Sequence, residues 1–95
     1  MRDRILVINP NSSKGMTRDI DTAIAPLRFV GGPKIECHTL AEGPPGIETD
    51  ADVDVVIDPL CRLVRSLERN TAAFVNACFS DPGLTEIRAT TQRPT

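Results

Sequence analysis

The sequence predicts an open, three-layer α/β fold, a short parallel sheet with helices on both faces. Three short strand-like runs, Ile5–Ile8, Lys34–Leu40 and Ala73–Cys78, alternate with three stretches of helical periodicity. Clusters of Gly, Pro, Asn and Asp separate them, at Asn9–Ser13, Gly31-Gly32-Pro33, Gly43–Gly46 and Asp81-Pro82-Gly83. A β-α-β-α-β-α order implies parallel strands joined by right-handed crossovers. The expected spatial order is 2-1-3, with the first strand in the middle.

Ile5-Leu6-Val7-Ile8 is an unbroken β-branched and Leu run, the pattern of a strand buried on both faces. The turn and cap residues Asn9-Pro10-Asn11-Ser12-Ser13 end it. From about Gly15 to Leu27, the residues Met16, Ile20, Ala23, Ile24 and Leu27 form one stripe of an amphipathic helix, closed by Pro26 and the following glycines. Lys34–Leu40 is more polar and alternating, which suits an edge strand. Thr49-Asp50-Ala51-Asp52 forms a capping box with Asp in place of Glu. Val53, Ile57, Leu60, Val64 and Leu67 then mark a helix face as far as about Arg69. Pro59 interrupts it, and one kinked helix is preferred over two. Ala73–Cys78 is the third strand. Asp81 and Pro82 signal a helix start, as N-cap and first helical residue, and that helix fades near Thr91.

The chain's 95 residues bound it to one small domain. They end at Gln92-Arg93-Pro94-Thr95, where a connection into a fourth strand is expected. Residues 1–95 are therefore expected to form a single incomplete domain, truncated before strand 4, with the apolar edge of strand 3 left open. A second copy of the chain is the expected cover if it assembles through that edge.

Net charge is −2 and three Phe are the only aromatics, so there is neither a basic patch nor a stacking platform, and nucleic acid is not an expected partner. Apolar runs are far shorter than a membrane span, and Met1-Arg2-Asp3-Arg4-Ile5 has no long apolar segment behind it. The expected location is the cytoplasm. Cys37, Cys61 and Cys78 are odd in number and widely spaced, and there is a single His, so free thiols are expected and no metal site.

Cys78 is the leading candidate for chemistry. It closes a strand and faces a predicted helix start, the crevice where open α/β sheets bind ligands and where oriented N–H groups favour a thiolate. With strand 1 central, the loop Asn9–Ser13 lies beside Cys78, Phe79 and Ser80. Together these loops are expected to form a nest for a small anion such as a carboxylate. Cys37 and Cys61 read as packing residues and His38 as a strand residue facing solvent. Asp81 reads as a cap rather than an acid. The acidic stretch Glu48–Asp58 reads as a solvated helix face. With no His near Cys78, proton transfer is a better reading than nucleophilic attack.

Three segments carry a resemblance over nearly the whole chain. Ile5–Ser13 with Met16-Thr17, Gly43-Pro44-Pro45-Gly46-Ile47-Glu48-Thr49, and Ala77-Cys78-Phe79-Ser80-Asp81-Pro82-Gly83-Leu84 resemble, in order, motifs of the aspartate/glutamate/hydantoin racemase superfamily, the last especially those of its hydantoin and allantoin racemase branch. The resemblance implies a flavodoxin-like half of a two-domain, cofactor-independent enzyme. A cysteine from each half would lie on either face of a carbon next to a carbonyl, in a hydantoin, allantoin or an acidic amino acid. Cys78 matches the first cysteine. The Asn9-Pro10-Asn11 turn, Phe79 and Ser80 match positions lining the substrate pocket, and Ser12 and Ser13 are further candidates for substrate contact as polar residues of the same turn. The second cysteine has no counterpart, which implies an N-terminal portion with little or no racemase activity alone. Arylmalonate decarboxylation and maleate isomerisation belong to the same superfamily. A non-catalytic module that binds a small carboxylate, or assembles through its edge strand, is the alternative from another class. No GxGxxG or GxxxxGK[ST] motif supports nucleotide binding.

Overall fold

The computed structural model describes residues 4–95. Met1–Asp3, part of the charged N-terminus read above, lie outside the described residues. The elements are β1 (Arg4–Asn9), α1 (Lys14–Ile24, tightening into a 3₁₀ turn over Ala25–Leu27), β2 (Lys34–Thr39), α2 (Asp50–Leu67), β3 (Ala73–Asn76) and α3 (Leu84–Thr90). The sheet is wholly parallel in the order β2-β1-β3, as the sequence predicts. Its register sets Ile5 beside Ile35 and Ala73, and Val7 beside Cys37 and Val75.

Strand alternation divides the side chains between two faces. Leu6, Ile8 and Phe74 point toward α2 and α3 and join Val56, Leu60, Cys61, Val64 and Ile87 in the core. The alternate residues face α1, where the hydroxyls of Thr17 and Thr39 meet at 2.6 Å. α1 carries no fully buried residue, and Val75 on β3 is exposed, so this face is only partly covered. The Arg4 guanidinium donates to Glu36 on β2 and to Thr71 just before β3, each at 3.0 Å, tying the strands together at their starts.

Pro59 lies inside a continuous α2, where it is buried against the core. Burial of the ring offsets the backbone hydrogen bond that proline cannot donate. The capping box forms as predicted: Thr49 Oγ1 accepts from Asp52 N, and Asp52 Oδ2 accepts from Thr49 N, both at 3.1 Å. The Glu48 and Thr49 backbone donors hold the Asp52 carboxyl below its ordinary range. Thr49→Ala is expected to lower stability by about 1 kcal/mol, measured by urea unfolding. Because folding lowers the Asp52 pKa, its contribution is present above the unfolded value of ~3.9 and is lost as pH falls through the lower folded value. The stability difference between wild type and Asp52→Asn should therefore shrink on acidification below that window. A constant difference would contradict this.

Two expectations at the end of the chain are corrected. β3 stops at Asn76, and Asp81 is not a helix cap. Asp81 has a left-handed φ of 46°, Gly83 has φ 69°, and α3 begins only at Leu84. The cause is Pro82, which is fully buried, with its carbonyl accepting from Asn76 Nδ2 at 2.9 Å. Drawing Pro82 inward makes residues 81–83 a turn. The edge of β3 is also not wholly open, because Phe74 N donates to Pro94 O at 2.9 Å. Arg93 N and Nε, bonded to Thr91 Oγ1 and to the Glu68 carbonyl, fix that returning segment. Among the described residues, no helix is long and apolar enough to cross a membrane.

Candidate functional site

The turn after β1 is held by its own asparagines. Asn9 is 2% exposed, and its Nδ2 lies 2.8 Å from Asn11 Oδ1 and 3.1 Å from both Ser13 O and Thr17 Oγ1. Asn11 Oδ1 also accepts from Ser13 N at 2.9 Å, and Ser13 Oγ caps α1 by accepting from Met16 N at 3.2 Å. These side chains are engaged in shaping the turn. The exception is Asn11 Nδ2, whose partner is the weak acceptor Met16 Sδ at 3.5 Å.

Beside this turn the chain leaves β3. Cys78 is half-buried, and its Sγ lies 3.4 Å from Ser80 Oγ. The backbone closes a turn here, with Asp81 N donating to Cys78 O at 3.1 Å. The predicted strand-end thiol is thus a loop thiol. The helix expected immediately after it starts six residues later and has seven residues, so no helix terminus activates the sulfur.

The loop between β2 and α2 supplies the third wall. It is laced to the first turn by Ser12 N→Pro44 O and Leu40 N→Asn9 O, both 2.9 Å. The three loops and α1 enclose an open cleft of about 670 Å³. Of the sequence candidates, Asn9, Pro10, Asn11, Cys78 and Phe79 line it. Ser12, Ser13 and Ser80 do not line it: the first two brace the turn, and Ser80 sits behind the thiol. Met16, Ile20, Gly46, Ile47, Glu48, Asn76 and Ala77 complete the lining and were not singled out as candidates. Met16 and Ile20 were read only as part of the stripe of an amphipathic helix. Glu48 was read as a solvated acid, although it belongs to the second of the three resembling segments.

Most N–H groups expected to form an anion nest have internal acceptors. Those of Asn11, Ser12, Ser13, Cys78 and Asp81 are all bonded within the loops. Among the described residues, the N–H groups of Phe79 and Ser80 have no such acceptor. Among the described residues, the lining contains no Lys, Arg or His.

The other two cysteines lie elsewhere. Cys61 is buried in the α2 core, and Cys37 is half-buried on β2, where burial, and then the nearby Asp21, pushes its thiol pKa up. His38 is also half-buried, with Nε2 3.8 Å from the Glu36 carboxylate. Among the described residues, no group of three or more His, Cys, Asp or Glu is placed to hold a metal ion.

Comparison with known proteins places this geometry in context. The model of the Asp/Glu/hydantoin racemase family matches residues 5–95. The chain is 38% identical over 93 residues to a hydantoin racemase of Paenarthrobacter aurescens, covering 96% of this chain and 39% of that protein. It is 34% identical over 92 residues to a hydantoin racemase of Pseudomonas sp. (strain NS671), covering 96% of this chain and 36% of that protein. The structure resembles allantoin racemase from Klebsiella pneumoniae with a TM-score of 0.77 and 34% identity, over 90% of this chain and 35% of that one. The chain thus spans little more than a third of the relatives it matches.

Proposed function

The chain belongs to the Asp/Glu/hydantoin racemase family, and from that premise we propose that it supplies one half of a proton-transfer site for a carbon acid next to a carbonyl, with Cys78 as the acid–base group. One observation carries the reading: Cys78 lines the cleft together with the Asn9-Pro10-Asn11 turn, while Cys37 and Cys61 lie outside the lining. As thiolate, Cys78 takes the proton from the substrate carbon, and the electron pair delocalises onto the adjoining carbonyl oxygen. The uncommitted N–H groups of Phe79 and Ser80 are the donors for that oxygen. Asn11 Nδ2, weakly bonded, is a further polar contact. The proton returns from the same sulfur to the same face, so one thiol exchanges the proton without inverting the carbon. Racemisation needs a second acid–base group opposite, and no second thiol lines this cleft.

The test is alkylation of the folded chain by iodoacetamide near neutral pH, read residue by residue by mass spectrometry. Cys78 should be modified first, because Cys61 is 7% exposed and the Cys37 thiol is raised. A 5-substituted hydantoin should slow modification of Cys78 alone. Uniform labelling of the three cysteines, or no protection, would overturn the reading.

A further inference from the structure

Met16 is the only methionine among the described residues, and it stands where an oxidant can reach it. It lies in the first turn of α1, on the cleft wall, and is 50% exposed. Its sulfur is also engaged, because Asn11 Nδ2 donates to Met16 Sδ at 3.5 Å. The amide cannot exchange its two ends. Asn11 Oδ1 accepts from Asn9 Nδ2 at 2.8 Å and from Ser13 N at 2.9 Å, so the NH2 end must face the sulfur. Asn11 is 6% exposed, which leaves a buried donor resting on a thioether, one of the weakest acceptors a side chain offers. Such a donor moves readily to a better acceptor.

We propose that Met16 is a peroxide-sensitive modification site whose sulfoxide captures the Asn11 amide and closes the cleft to its ligand. The inference rests on the reading of the cleft as the ligand site and goes beyond it by naming a switch. The sulfur lone pair attacks one oxygen of hydrogen peroxide. The S–O bond forms as the O–O bond breaks, and the hydroxide released takes the proton left on the transferred oxygen and becomes water. The thioether loses two electrons and the peroxide gains them. A sulfoxide reductase drawing electrons from a thiol reverses the step, one enzyme for each epimer. The new oxygen is a strong acceptor on the very atom that already faces Asn11 Nδ2. It holds the amide away from a ligand carbonyl, and it puts a polar group on a wall shared with Ile20 and Ile47.

Cys78 is a second oxidisable sulfur in the same cleft, so the experiment separates the two. Isotope-labelled wild type, Met16→Leu and Met16→Gln are each divided. One half is treated with dilute hydrogen peroxide and then with dithiothreitol, which returns sulfenic acid and disulfide to thiol but leaves the sulfoxide. Mass spectrometry locates the added oxygen, and circular dichroism confirms that each sample keeps its helices. The Asn11 side-chain NH2 signals are followed by NMR, and affinity by protection of Cys78 from iodoacetamide with 5-benzylhydantoin. Treated wild type should carry one oxygen on Met16, show an Asn11 amide proton moved downfield, and bind the hydantoin about tenfold more weakly. Sulfoxide reductase should restore both readouts. Met16→Leu should show neither change between its treated and untreated halves, which assigns the effect to this sulfur rather than to Cys78. Met16→Gln offers an acceptor oxygen without oxidant, and should show the shifted amide and the weaker binding before any treatment. Resistance of Met16 to peroxide, or Asn11 signals and protection unmoved by its oxidation, would overturn the switch while leaving the Cys78 site standing. No protection in untreated wild type would overturn the ligand reading and the switch with it.

Discussion

Cys78→Ser is expected to abolish proton exchange at the ring carbon of a 5-substituted hydantoin, a fall of about 10²–10⁴-fold. The assay dissolves one enantiomer in D2O with the chain and follows loss of the carbon-bound proton by NMR, with optical rotation recorded in parallel. Wild type should replace the proton by deuterium while rotation holds, because a single sulfur serves a single face. Serine keeps the side-chain size and hydrogen-bonding to Ser80 but is far too weak an acid to supply the anion that removes a proton. Nothing in the cleft compensates, since no His lines it to act as a base for the hydroxyl. The loss is separable from unfolding: Cys78 sits half-buried in a loop outside the core, and substitutions there usually change stability by about 0.5 kcal/mol or less. Cys61→Ser gives the opposite pattern, placing a hydroxyl in the apolar core and lowering stability while leaving the cleft intact. Exchange persisting in Cys78→Ser would remove the thiol from the mechanism. Rapid loss of rotation with wild type would show that a second group on this chain reaches the other face.

The same contrast shows what the sequence discloses and what it hides. Ile5–Ile8 and the Thr49–Asp52 box were legible because each is decided locally, by side-chain shape and by a reciprocal pair of hydrogen bonds. The order β2-β1-β3 followed because alternating strands and helices leave few ways to connect a parallel sheet. The start of α3 was misread because a local cap signal at Asp81-Pro82 lost to a tertiary demand, the burial of Pro82 beside Asn76. Cys78 and the Asn9-Pro10-Asn11 turn were legible as strand-end groups. Met16 and Ile20 were not, because an apolar helix stripe has the same spacing whether it meets a sheet or an open cleft. α1 does some of both, with Thr17 tied to β2 and Met16 left on the cleft wall. Glu48 was hidden for a related reason. Its sequence neighbours belong to a charged helix start, and only the fold of the loop after β2 brings it to the cleft.

Gly43→Ala should be the most disruptive change in the loops, although it adds a single methyl group to a position remote from Cys78 in sequence. Gly43 closes a tight turn by donating to Leu40 O at 2.9 Å. A Cβ there would press far inside contact distance of the Pro10 carbonyl oxygen, and would stand 3.1 Å from the Leu40 carbonyl and 3.2 Å from Asn11 Cα. All three obstacles are backbone, so no side-chain rotation relieves them. Pro10 cannot retreat, because it is fully buried, and Asn11 is pinned through Asn9 and Ser13. The loop carrying Gly46, Ile47 and Glu48 must instead lift away, breaking Ser12 N→Pro44 O and opening the cleft. Overpacking of this kind costs about 1–3 kcal/mol, against a total near 5–15 kcal/mol for a domain. Urea unfolding should show that loss, and hydantoin protection of Cys78 should disappear even in conditions where the protein stays folded. Gly46→Ala is the control. Its nearest neighbour beyond the adjoining residues is Glu48 Oε1 at 3.9 Å, an ordinary contact with a movable side chain, so stability should hardly change. If Gly43→Ala kept full stability and full protection, the loop would not be what positions the third wall. The link between the Pro10 turn and the wall formed by Gly46, Ile47 and Glu48 would then have to be abandoned.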